Sequence, residues 1–338
     1  MREELLELLV DPETKQPLRL EGDQLVGGSR PYPVVNGIPR ISSRASDDQR
    51  QTEESFGFKW QQTATYGSEG MMEFAGAWLA ERYGFESVAE MRAWFGSRKR
   101  ILDAGCGSGY SAAALLERGP DRRMWVGVDI STAIDVAQER LGGIDGTHFV
   151  QADVMHLPFA NEAFDTVVSE GVLHHTPDTR AALRALVPLL APGGELLAYV
   201  YRRKAPAREF VDDHVRSLVS TLPPDEAWEA LRPLTRLGQA LAELDAEVDV
   251  PEDVLVLGIP AGRYPVQRLV YWHFAKLFWN ESMTFEENHH VNFDWYHPRY
   301  AHRHTPEEVD AWCAEAGLRV VVRMLQPSGI TIRAIKDP

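Results

Sequence analysis

A chain of 338 residues, 44% hydrophobic and 25% charged, has the balance of a water-soluble globular protein with room for one large core and an appended module. Its net charge of −15, with 50 acids against 35 Lys and Arg and no basic run, argues against nucleic acid as a substrate. Two cysteines exclude a cysteine-only zinc site, no apolar run reaches the ~18 residues of a membrane span, and the acidic start Met1-Arg2-Glu3-Glu4 lacks the positive region of a signal peptide, so a cytoplasmic protein is expected.

Residues 1–42 read as a small module: a helix over Glu3–Val10, a turn over Asp11–Leu18, a hairpin from Arg19 to Val26, and a closing segment Tyr32–Ile41. Ser42–Thr52 is polar and predicts a linker without a core. Phe56-Gly57-Phe58-Lys59-Trp60 and Tyr66 follow, aromatics that either line a ligand or dock the linker on its neighbour. Met71–Tyr83 and Val88–Phe95 have helical spacing with Trp78, Trp94 and Phe95 inward, completing a segment 43–99 ahead of the main core.

From Arg100 to Tyr201 strands and helices alternate, the signature of a parallel sheet with right-handed crossovers. The run Ile101-Leu102-Asp103-Ala104-Gly105-Cys106-Gly107-Ser108-Gly109-Tyr110 is a buried strand, a tight glycine turn and a helix start, where ligands of open α/β sheets bind. The dinucleotide fingerprint needs a sixth-position glycine, and counting from Gly105 that position is Tyr110. Further strands are predicted over Arg123–Asp129, Thr147–Asp153, Phe164–Ser169 and Glu195–Tyr201. Asp103, Asp129, Asp153 and Glu170 thereby fall at the carboxyl ends of four successive strands, placed to reach different parts of one elongated polar ligand.

Residues 202–304 exceed a minimal fold of this kind and predict a helical cap, with helices over Pro206–Thr221, Asp225–Leu244 and an aromatic-rich Val266–Asn280. A loop from His289 to His304 would return to the ligand edge, bringing Tyr296, Arg299, Arg303 and His304 onto substrate and adding His297 to the candidate bases. Arg299 and Arg303 would grip a carboxylate or phosphate, or else form ion pairs with the acidic cap helices. No histidine pair there has a known metal spacing and two arginines would repel a cation, so no metal is expected. Residues 305–338 read as a final helix, Thr305–Gly317, and strands Leu318–Met324 and Gly329–Ile335.

The Asp-x-Gly-x-Gly-x-Gly loop, the acid series and the Ala191-Pro192-Gly193-Gly194 turn together resemble the methyltransferase type-11 family of class I S-adenosylmethionine-dependent methyltransferases across residues 100–201. Leu8-Leu9-Val10-Asp11-Pro12 to Leu18 with Tyr32–Pro39 resembles the Trm112-like zinc-ribbon module, without its cysteines near Asp11 and Thr14 and before Tyr32. The resemblance implies a Rossmann-like seven-stranded α/β sheet and S-adenosylmethionine as cofactor. Asp103 would hold its ammonium, Gly105, Gly107 and Gly109 its methionine and ribose, Asp129 the ribose hydroxyls, Asp153 the adenine amine, and Ile130 and Val154 the ring; Glu170 and Tyr66 complete the set. His174 and His175 would face the reactive methyl as candidate bases. The expected activity is methyl transfer to a small-molecule acceptor in specialised metabolism. Two alternatives stand beside it: a cyclase that attacks the aminocarboxypropyl carbon of the cofactor with Tyr201, His174 or His175 as base, releasing methylthioadenosine, and a non-catalytic binding partner.

Overall fold

The structure, a computed structural model, describes residues 1–41, 46–62, 69–116 and 124–337. The N-terminal module comprises α1 (Glu3–Leu6), β1 (Arg19–Glu21), β2 (Gln24–Val26), β3 (Tyr32–Val35) and β4 (Ile38–Ile41). Helix α1 stops earlier than its sequence predicts because the chain leaves it to form bridges: Val10 N–H donates to Pro158 O (2.9 Å) and Leu18 N–H to Leu9 O (3.0 Å). Where the resemblance placed metal ligands, the buried carboxylate of Asp11 accepts from Thr14 N–H (2.7 Å), Ser29 N–H (2.9 Å) and Tyr32 O–H (2.8 Å). One side chain thus ties the turn, the loop before β3 and β3 itself.

Three helices follow or lie beyond the module: α2 (Asp47–Gln61), α3 (Glu69–Arg82) and α4 (Val88–Gly96). Helix α2 begins inside the stretch read as a linker. Ser46 Oγ accepts Gln49 N–H (3.2 Å), Asp47 and Asp48 favour the N-terminal dipole, and the buried face is Thr52, Ser55, Gly57 and Lys59. A buried face without large apolar residues leaves no helical hydrophobic period in the sequence.

The core alternates β5 (Arg100–Ala104), α5 (Tyr110–Leu115), β6 (Met124–Asp129), α6 (Ala133–Leu141), β7 (Thr147–Ala152), β8 (Phe164–Glu170), α7 (Thr179–Leu186) and β9 (Leu190–Tyr201). The cap supplies α8 (Pro206–Val219), α9 (Pro224–Glu243), the hairpin β10 (Glu247–Val250) and β11 (Gly262–Pro265), α10 (Val266–His273) and α11 (Phe285–Tyr296). The chain closes with α12 (Pro306–Glu315), β12 (Leu318–Leu325) and β13 (Gly329–Lys336). Two expectations for the cap are corrected. The aromatic helix ends at His273, and the predicted return loop is helical through Tyr296, started by a capping box between Thr284 and Glu287.

Strand order is β1-β2-β3-β4-β7-β6-β5-β8-β9-β13-β12. The seven strands from β7 to β12 form the expected Rossmann-like sheet, all running in one direction except β13, which lies antiparallel between β9 and β12. The module's four strands extend it, since β4 pairs in parallel with β7 through Arg40–Gln151 and Ile41–Ala152. Leu5, Leu25 and Tyr32 share one apolar cluster with Val126, Val150 and Leu196, so the module packs into the main core. Phe95, Trp125, Ile134 and Phe149 fill the opposite face, and Tyr201, Trp228, Phe293 and Trp295 fill the cap.

Candidate active site

The chain turns sharply at the end of β5, with Gly105 at φ 87° and Gly107 at φ 52°. A Cβ on Gly105 would sit 2.4 Å from Val172, and one on Gly107 would sit 2.8 Å from the Trp60 indole, which α2 lays over the loop. Gly107 N–H donates to Asp129 Oδ2 (2.9 Å), while Asp129 Oδ1 accepts the amide (2.8 Å) and hydroxyl (2.6 Å) of Ser131. Asp129 therefore fixes the loop as well as facing the cavity beside it.

That cavity, about 500 Å³, runs from the carboxyl edge of the sheet to the underside of the cap. Gly105, Asp129, Ile130, Asp153, Val154 and Glu170 line its sheet end, with Gln49, Glu53 and Trp60 of α2 above. Asp153 Oδ1 accepts Met155 N–H (2.9 Å) and Oδ2 accepts Gln49 Nε2 (2.9 Å). Glu170 is bonded to Arg82 and accepts Tyr83 O–H (2.5 Å). The Arg82 guanidinium lies 3.7 Å from the Trp78 ring centroid and 3.3 Å from that of Tyr199.

Negative charge at this end is only partly compensated. Asp103 is 2% exposed and its Oδ2 has no hydrogen-bond partner. Burial, with Asp129 and Glu170 nearby, pushes its carboxyl up to about 7. Asp129 is raised by burial, and Glu53 by burial and by Asp129, Glu54 and Asp153. A ligand that brings positive charge and hydrogen-bond donors to this edge relieves those groups, which fits the ammonium and sulfonium of S-adenosylmethionine.

The cap end carries a different set. Asp294 of α11 accepts Lys59 Nζ (2.6 Å) and Tyr201 O–H (3.2 Å). Burial alone would raise its carboxyl, but Lys59 and His175 hold it well below the usual carboxylate range. His175 Nδ1–H donates to Tyr300 O (2.6 Å), leaving a buried Nε2 without a partner. Burial pushes this ring down to about 4, so it is neutral near pH 7 with its lone pair on Nε2.

Of the residues singled out in the sequence, Gly105, Asp129, Ile130, Asp153, Val154, Glu170, His175 and Tyr201 come together around this cavity, while Gly107 faces Trp60 and Gly109 packs toward Leu141. Asp103 lies buried behind the wall, and Tyr66 lies outside the described residues. The others do not reach the wall. His174 is fully buried with its ring centroid 3.7 Å from that of Tyr201. His297 donates from Nε2 to Leu222 O (3.1 Å), so its Nδ1 accepts from Ser55 (2.8 Å). Tyr296 donates to Asp212 (2.7 Å) and His304 bonds Thr179 (2.9 Å). Arg303 pairs with Glu209 (2.7 Å) and Asp213 (2.6 Å), and Arg299 with Asp48 (3.4 Å). The substrate grip expected of Arg299, Arg303, Tyr296 and His304 is thus corrected to structural pairing that closes the cap. Among the described residues no group of three His, Cys, Asp or Glu could hold a metal ion.

Sequence reasoning missed Gln49, Glu53 and Lys276. Lysine supplied a usable signal: the chain has six, and two of them, Lys59 and Lys276, interrupt aromatic runs.

A methyltransferase domain model matches residues 102–198. An uncharacterized methyltransferase of Mycobacterium tuberculosis is 39% identical over 108 residues, 30% of this chain and 50% of that protein. The phthiotriol/phenolphthiotriol dimycocerosates methyltransferase of Mycobacterium leprae is 33% identical over 150 residues, 44% of this chain and 55% of that one. The chain spans about half the length of these curated relatives. Among solved structures, Burkholderia thailandensis 1,6-didemethyltoxoflavin-N1-methyltransferase, with bound 1,6-didemethyltoxoflavin and S-adenosylhomocysteine, aligns at a TM-score of 0.45 and 14% identity over 95% of this chain and 98% of that one. With the glycine loop and strand-end acids at its centre, the chain carries a class I S-adenosylmethionine-dependent methyltransferase domain, and S-adenosylmethionine is its cofactor.

Proposed function

We propose that the protein transfers the methyl group of S-adenosylmethionine to a small-molecule acceptor enclosed beneath the cap. The observation that carries this reading is the continuity of one cavity from the strand-end acids to the cap aromatics. Bound S-adenosylmethionine supplies an activated methyl on a sulfonium. The chain's residues then have to align the acceptor, exclude water and take up a proton where the acceptor loses one.

In this reading Asp129 and Asp153 orient the cofactor's ribose and adenine, and Asp103 with Glu170 balances its charge. Trp60 and Phe56 roof the site, and Tyr199, Tyr271 and Trp272 exclude water at its far side. His175 Nε2 is the proton acceptor, with its tautomer set by the Tyr300 carbonyl. A net charge of −15 disfavours nucleic acid as acceptor, and no helix of the described residues is long and apolar enough to cross a membrane. We place the protein in specialised metabolism and the cytoplasm on the enclosed site and the composition alone.

The test is incubation with S-adenosylmethionine, with and without candidate acceptors, followed by mass spectrometry. S-adenosylhomocysteine formed only with an acceptor supports methyl transfer. Methylthioadenosine formed at catalytic rates without one replaces it by attack on the aminocarboxypropyl carbon.

A further inference from the structure

The cavity is electrically polar. Its sheet end carries Glu53, Asp129, Asp153 and Glu170, while its cap end carries Lys59, Lys276 and Arg268 against Asp294. Lys59 is consumed by Asp294 (2.6 Å), and Arg268 donates to Trp279 O (3.2 Å). Lys276 differs from both. It is 7% exposed, lines the cavity, and its ammonium makes no ion pair among the described residues; it stands 4.5 Å from the centroid of the Trp295 ring.

Its position is built. The Lys276 backbone N–H donates to Asp212 Oδ1 (3.1 Å) and to Tyr296 O–H oxygen (3.0 Å). Asp212 in turn accepts Arg208 Nε (2.6 Å), Trp295 Nε1 (2.7 Å) and Tyr296 O–H (2.7 Å). A buried hub therefore fixes the main chain from which the ammonium projects. Tyr271, Trp272 and Phe278 supply apolar wall around it. A buried cation without a counter-ion is costly, and an anion that enters the cavity removes that cost.

We infer that the acceptor carries a carboxylate on a flat apolar body, and that Lys276 binds this group. The inference rests on the methyltransferase reading, because it assigns the sheet end to the cofactor and the cap end to the acceptor. Opposite charges at the two ends also fix the order of the ligands: a cationic cofactor is repelled from Lys276, and an acidic acceptor is repelled from the strand-end acids.

The groups around the Lys276 ammonium are Asp294 of α11, Asp212 and Arg208 of α8, and Lys59 of α2, with Lys204 after β9. Burial outweighs the acids and brings the ammonium down to about 7. Below that pH Lys276 is a cation, and above it the side chain is neutral. Carboxylate affinity therefore falls as pH rises through 7.

The experiment is calorimetry at about pH 6, where Lys276 is a cation, on the full chain saturated with S-adenosylhomocysteine, using 2-naphthoate and uncharged 2-naphthamide as probes. For the wild type, 2-naphthoate binds at least roughly tenfold more tightly than 2-naphthamide. Lys276→Met removes that preference and leaves S-adenosylhomocysteine binding unchanged. Equal affinity of 2-naphthoate and 2-naphthamide for the wild type overturns the inference. So does loss of S-adenosylhomocysteine binding in a folded Lys276→Met protein, since the ammonium would then serve the cofactor. If Lys276→Met does not fold, Lys276→Gln, which also removes the charge, takes its place: a folded variant that still prefers 2-naphthoate about tenfold overturns the inference. Failure of the wild type to bind S-adenosylhomocysteine would instead defeat the underlying reading.

Discussion

Asp103 shows how one residue links folding to ligand binding. Its carboxyl, held near 7, is largely protonated in the ligand-free protein at mildly acid pH. A folded pKa above the unfolded value means that ionisation destabilises the folded state as pH rises through this range. A bound cation lowers that pKa and recovers the loss. S-adenosylmethionine affinity is therefore expected to climb, roughly up to tenfold per pH unit, until about pH 7 and then level off. Calorimetric titration across this range checks it, and Asp103→Asn should flatten the profile. At Asp129, substitution by Asn leaves the loop amide one acceptor but weakens the cofactor's charged contact by about 1.5–3 kcal/mol, or roughly 10- to 100-fold in Kd. His175→Gln tests the proposed base: kcat falls by about 10²–10⁴-fold with cofactor affinity retained if the acceptor loses a proton. The strand-end acids were readable from the sequence because each follows an apolar run at a strand's end. The role of Asp294 was not, since its pairing with Lys59 and Tyr201 is set by packing between α2, β9 and α11.

At the scale of elements, the N-terminal module shows a carboxylate doing the tying that metal ligands do in the module it resembles. Burial alone would raise Asp11, but hydrogen bonds from Thr14, Tyr32 and Ser29 hold it well below the usual carboxylate range. A depressed carboxyl stabilises the fold above its unfolded pKa of 3.8 and loses that contribution as pH falls below it. Asp11→Ala leaves several buried donors unsatisfied and is expected to cost on the order of 2–4 kcal/mol, measurable by denaturant unfolding near neutral pH. Zinc should neither bind to nor protect this module, which elemental analysis checks. Helices with strong apolar periods or capping signals, such as α12 with Thr305 and Pro306, were legible. Helix α2 was not, because small and polar residues form its buried face. The histidine-rich stretch was misread as a loop because its helical start lies in Thr284 and Glu287, upstream of the residues that drew attention.

Across the whole molecule, the module and the methyltransferase core share one sheet and one apolar cluster. Removing residues 1–41 would expose the edge of β7 and strip Leu5, Leu25 and Tyr32 from that cluster. The truncated protein is expected to aggregate, and the intact chain to unfold module and core in one calorimetric transition. Helix α2 spans a second seam. It reaches the core through Gln49 on Asp153 and Trp60 over Gly107, and the cap through Lys59 on Asp294 and Gln51 on the His297 carbonyl. Cutting the Lys59–Asp294 pair, as in Lys59→Met, is expected to hasten cofactor arrival and departure together, shortening the lifetime of the complex far more than it changes the equilibrium, which stopped-flow binding checks.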